Sequence, residues 1–166
     1  LQQLLPFLRD QGFEGELNGL DLLCPEGVIP WGGLFLPDPS IGRWALWRQP
    51  VGASTFSLIG QIHTLSTPAA LAHLQDLVSE PVQPWDALIC SSTAGRSVVE
   101  AVLKSREEAL AERSGGDAAR LRASRPQLPV IPLPLPDSAM SVPALDKLQA
   151  RKDLGLSETA YVVLWL

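Results

Sequence analysis

Beyond residue 56, short apolar runs alternate with stretches whose apolar residues recur every three or four positions. Phe56–Ile62 is such a run and predicts a strand. Leu71, Leu74, Leu77 and Val78 then keep helical spacing and predict a helix ending near Ser79, with those four residues inward. Ser66 or Thr67 can cap it, and Pro68 falls in its first turn, where the missing N–H costs nothing. Trp85–Cys90 (WDALIC) is the next strand, its continuous apolar run typical of a strand covered on both faces. Ser92 or Thr93 caps a long helix reaching about Arg113, with Val98, Val102, Leu103 and Leu110 on its apolar face and Glu100 paired with Lys104. Gln127–Leu133 predicts another strand, Pro143–Asp153 a helix stopped near Gly155, and Tyr161–Leu166 a final strand.

The first third of the chain is less regular. Leu1–Gln11 predicts a helix, with Leu4, Leu5 and Leu8 at helical spacing and Gly12 as its stop. Leu20–Cys24 and Trp44–Trp47 read as short strands, and residues 25–43, rich in Pro and Gly, as mostly irregular. The reading therefore divides the chain into an irregular part, 1–55, an α/β domain, 56–156, and a last strand or linker, 157–166. Strand and helix alternate through the regular part, which is the rhythm of a parallel sheet with helices on both faces, a Rossmann-like three-layer fold.

Composition sharpens this picture in a few places. The net charge of −5 and the pI near 5.0 argue against a nucleic-acid partner. Arg113, Arg120, Arg122 and Arg125 form the one basic cluster, in a Gly/Ala/Ser-rich stretch that reads as a solvated loop or frayed helix end, with a phosphate or partner contact as the alternative. Cys24 and Cys90 end apolar runs, have no metal or redox spacing and read as small buried hydrophobes. No apolar run reaches the length of a membrane span. Leu1 is no natural start, and YVVLWL ends without a turn or cap. The expectation is a piece of a longer protein, cut inside or just after a strand. The first sheet strands are expected to be missing, so an open edge can pair with a second copy.

Candidate chemistry lies on two strand-to-helix loops. In parallel sheets ligands sit beyond the carboxyl ends of the strands. His63 follows one strand and precedes a helix cap, which places it at that edge; an alternative is a structural histidine bonded to Thr64 or Ser66. The other histidine, His73, lies within a helix and reads as structural or solvated. CSSTAGRS, residues 90–97, joins a strand to a helix N-terminus, where free N–H groups favour an anion. Ser92, Thr93 and Arg96 are its candidates, although capping alone also accounts for the hydroxyls. The loop lacks the glycine and lysine of a phosphate-binding P-loop, and no G-x-S-x-G elbow or metal-ligand spacing occurs. Asp86 reads as ending a turn.

In this order GQIHTLS, WDALICSSTAGR, VIPLPLP and RKDLGLSETAYVVLWL resemble the retaining, nucleotide-sugar-dependent glycosyltransferases of family four, which have the GT-B fold. The resemblance covers residues 56–166. It implies the incomplete N-terminal, acceptor-side domain of such an enzyme, inactive alone. His63 stands where the family has a histidine in the inter-domain cleft, positioning the donor sugar or acceptor. Thr64 and Ser66 would line the same cleft, and Ile89–Ser92 matches a family strand ending in serine. Ile131–Leu133 matches the I-P-x-G connector with Pro134 for the glycine, Arg151–Leu156 matches R-x-x-L-G-L, and Gln61 replaces a frequent threonine. The family's N-terminal glycine-rich loop is not visible. Its basic residue and E-x7-E motif would follow Leu166, in a missing C-terminal domain. The implied partners are a nucleotide-sugar donor and a hydroxyl acceptor, with no cofactor or metal. The implied location is the cytoplasm, with attachment to the inner membrane face left open. A non-catalytic α/β binding module and a sugar-nucleotide epimerase of related fold remain alternatives. A response-regulator-type module would want an acidic cluster at the strand ends, where only isolated acids occur.

Overall fold

The computed structural model of the chain describes residues 4–21, 23–134 and 146–163. It divides into two units, Leu1–Pro132 and Leu133–Leu166. The first unit is α/β, built on a parallel sheet of β1 (Gly33–Phe35), β2 (Ser57–Gln61) and β3 (Ala87–Ile89) in that order. Leu34 is opposite Leu58, and Gly60 opposite Leu88. Gln127–Ile131 continues the sheet beyond β3 as a strand interrupted by proline. Leu88 N donates to Gln127 O (2.8 Å), Cys90 N to Pro129 O (2.9 Å) and Ile131 N to Cys90 O (2.9 Å). Pro129 has no N–H to give, so only isolated bridges form there.

Three helices follow the strands: α2 (Ile41–Arg48), α3 (Pro68–Ser79) and α4 (Thr93–Ser114), with α3 packed against both neighbours. Strand order follows chain order through β1–β3. The α/β class and the parallel sheet with helices after its strands are consistent with the Rossmann-like expectation. Leu58, Leu88 and Cys90 point into the core between sheet and helices, where they meet Ile41, Leu74, Val99 and Leu103. Ile59, Ala87 and Ile89, on the alternate positions, are only half-buried.

Several local readings change. Leu20–Cys24 is no strand in its described residues: Asp21 turns the chain, its carboxylate accepting from Leu23 N (2.9 Å) and its carbonyl from Cys24 N (3.0 Å). Residues 25–43 are not mostly irregular, since they hold a 3-10 helix at Pro25–Trp31, strand β1 and the start of α2. Trp44–Trp47 is helix, not strand. The buried positions of α2 are Ile41, Gly42, Ala45 and Arg48, a helical stripe disguised in sequence by an arginine at its end. Cys24 is exposed rather than buried, and the Asp21 carboxylate beside it pushes its thiol up; Cys90 is buried as expected. Leu71 is partly exposed, and Ala70 takes an inward place on α3.

Helix α4 buries Val99, Leu103 and Glu107, whereas Val98 is exposed. Glu100 pairs with Arg96 (2.8 Å) and Lys104 with Glu108 (3.9 Å), not with each other. The basic cluster is not simply solvated. Arg125, after α5 (Ala118–Ala123), makes a two-pronged ion pair with the fully buried Glu107, and Arg122 stands 3.6 Å from the same carboxylate. Glu107→Ala is therefore expected to cost roughly 2 kcal/mol in urea unfolding. A change within the error of the measurement would mean the pair holds nothing.

The second unit contains α6 (Lys147–Asp153), capped by Asp146, whose carboxylate accepts from Leu148 N (3.1 Å). Gly155 ends it with a φ of 66°, the left-handed conformation a glycine adopts without strain. Arg151 donates to the carbonyls of Ser157 and Ala160. The expected helix start at Pro143 and the end of the last strand, Leu164–Leu166, lie outside the described residues; Tyr161–Val163 are in no strand. No described helix is long and apolar enough to cross a membrane. The first helix, α1 (Leu4–Asp10), is present at the expected place.

Candidate functional site

The two loops singled out by the sequence meet. Ile62–Leu65, after β2, and Cys90–Ser92 with Ala94, Gly95 and Val98, after β3, line one open pocket of about 320 Å³. It lies at the carboxyl edge of the sheet, because both loops leave the carboxyl ends of neighbouring parallel strands. Ile62 N donates to Ile89 O (3.0 Å) and ties the first loop to β3 before His63 emerges.

The polar lining is His63, Thr64, Ser91 and Ser92, against Leu65, Ala94 and Val98. His63 is exposed, and no hydrogen bond joins its imidazole to Thr64 or Ser66 among the described residues. Those two hydroxyls instead bond each other at 2.8 Å, and Ser66 N donates to Thr64 Oγ1 (3.2 Å). The loop is thus stiffened from within, and the ring is left open to the pocket. Thr67, not Ser66, caps α3 by accepting from Ala70 N (3.2 Å).

Ser92 caps α4: its hydroxyl accepts from Gly95 N (3.0 Å), and its carbonyl from Arg96 N (3.0 Å). The N–H groups of Thr93 and Ala94 are left without an intrahelical partner, as the first turn of any helix requires. They lie at the start of a helix of 22 residues, where the dipole favours negative charge. Thr93 and Arg96 do not line the pocket, and Arg96 is held along the helix by Glu100. Ser66 likewise stays out of it. Of the six candidates, His63, Thr64 and Ser92 come together. Ser91, whose position between Cys90 and the cap carried no signal of its own, joins them.

Sequence reasoning also passed over Arg48 and treated Asp86 as a turn residue. The two form a fully buried pair just before β3, Arg48 Nη1 and Nη2 donating to Asp86 Oδ1 (2.7 Å) and Oδ2 (2.8 Å). They face the core, so their role is architectural. His73 is half-buried beside Asp76 at 3.8 Å. Among the described residues no cluster of three or more His, Cys, Asp or Glu could hold a metal ion.

Fold and site together define a parallel α/β unit with a pocket of mixed polar and apolar lining where two strand-to-helix loops converge. No protein-family model, no curated protein and no solved structure matches the chain.

Proposed function

We propose that the chain is the acceptor-side domain of a retaining glycosyltransferase, its sheet the Rossmann-like part of a GT-B N-terminal domain. The parent would add a C-terminal domain that binds the nucleotide sugar. One observation carries this reading: residues 62–65 and Cys90–Ser92 with Ala94 and Gly95, separate in sequence, line a single pocket at the carboxyl edge of a parallel sheet. A transferase needs such an edge to face a second domain. In the reaction an acceptor hydroxyl replaces the nucleoside diphosphate at the anomeric carbon, with configuration retained.

His63 supplies a hydrogen bond that positions the donor sugar or acceptor, from a ring whose own loop makes no demand on it. Ser91 and Ser92 line the same pocket. The N-terminus of α4 adds a partial positive charge to the same pocket. The test is sugar transfer by the parent enzyme from a panel of uridine, guanosine and adenosine diphosphate sugars. His63→Ala is expected to lower kcat/KM about 100-fold with an unchanged unfolding curve. A parent that transfers no sugar, or transfers equally well without His63, overturns the reading.

A further inference from the structure

A second pocket, of about 410 Å³, shares no lining residue with the first. Asp38, Ser40, Arg43, Trp44 and Trp47 line it, where the chain turns from β1 into α2. Its two charged groups are opposite in sign and do not pair. The Arg43 guanidinium makes no ion pair or hydrogen bond among the described residues, and Asp38 is exposed. Burial alone would push the Asp38 carboxyl up. The hydroxyl and N–H of Ser40, with the nearby charges of His73 and Arg43, outweigh that and hold it below the usual carboxylate value. Ser40 N donates to Asp38 Oδ1 at 2.7 Å, which fixes the carboxylate at the rim.

The indoles set the shape. Trp44 and Trp47 stand 5.2 Å apart at 81°, so they make a corner and not a parallel slot. A slot suits a flat base; a corner suits a puckered ring with an apolar face. The charges narrow the choice further. An anion would meet Asp38 and a cation would meet Arg43. A hydroxyl both donates and accepts, so a neutral polyol satisfies the acceptor-only carboxylate and the donor-only guanidinium together.

We infer that this pocket binds a neutral sugar ring, with hydroxyls on Asp38 and Arg43 and a C–H face against Trp44. The inference goes beyond the transferase reading and does not depend on it, because binding is read without transfer.

The test is nuclear magnetic resonance of the nitrogen-15-labelled chain, titrated with methyl α-glucopyranoside, methyl α-mannopyranoside and methyl β-galactopyranoside. At least one glycoside should shift the Trp44 indole N–H with a Kd of about 1 mM. The Trp31 and Trp85 signals should not move. Arg43→Gln, at an exposed side chain with no ion pair or hydrogen bond among the described residues, and Asp38→Asn should each weaken binding at least roughly tenfold, a loss of about 1.4 kcal/mol. Unmoved Trp85 signals in the variants report an intact fold. No shift with any glycoside, or equal binding by both variants, overturns the inference. So does a Trp44 shift with inorganic phosphate alone, which would make the pocket an anion site. Failure here leaves the His63 pocket untouched, and loss of transfer in the parent leaves glycoside binding untouched.

Discussion

Asp86→Ala is expected to destabilise the chain by about 3–5 kcal/mol, measured as a lower midpoint and extrapolated free energy in denaturant unfolding. The Asp86 carboxylate takes four hydrogen bonds in a fully buried place. Two come from Arg48, one from Leu58 N (2.8 Å) and one from Gln83 N (2.8 Å). It therefore joins α2, the first residues of β2 and the turn before β3. Arg48 also donates to Phe56 O (2.7 Å), and its Nε has no partner. Removing the carboxylate leaves a buried guanidinium with one carbonyl for company, and two backbone N–H groups with none. The cost comes from the charge left behind more than from the pair itself. For the same reason the double variant Arg48→Met, Asp86→Leu should be less destabilised than Asp86→Ala alone. It will not return to the parent value, because the Leu58 and Gln83 N–H groups stay unpaired. A double variant worse than the single one would show that the pair contributes net stability.

Gly60→Ala is expected to cost about 2–3 kcal/mol, although the residue sits in a strand where alanine has no intrinsic penalty. A Cβ there would stand 2.7 Å from Ile41 Cγ2, 2.8 Å from Asp38 O and 3.2 Å from Leu88 Cδ1. Side chains can shift, but the Asp38 carbonyl is backbone, and it accepts from Gln61 N at 3.2 Å. The β1–α2 turn is thus pressed against β2 and can move away only by giving up that bond. Thermal unfolding measures the cost. Amide shifts at Asp38 and Ser40 should accompany it, and those at Glu107, outside this contact, should not. An alanine accepted without loss would mean the turn yields freely.

The sequence by itself determined the elements between residues 56 and 114. Phe56–Ile62, the Thr67–Pro68 cap, WDALIC and the Ser92 cap each combine a period with a local stop or start signal. Local backbone chemistry decides such elements, so they are legible one stretch at a time. It also placed His63 and Ser92 on loops after strands, from element order alone.

Tertiary structure decided the rest. It brought the two loops into one pocket, because β2 and β3 are hydrogen-bonded neighbours, a pairing that no local pattern encodes. It turned Trp44–Trp47 into a helix, because the buried stripe of α2 ends in an arginine whose charge is met 38 residues on, at Asp86. It took Arg122 and Arg125 from a loop reading to a buried glutamate on another helix. It also separated Thr93 and Arg96 from the pocket, because position on a helix turn sets where a side chain points. In each case the deciding partner lies far along the chain, and a charge buried by a distant partner reads in sequence as a charge in water.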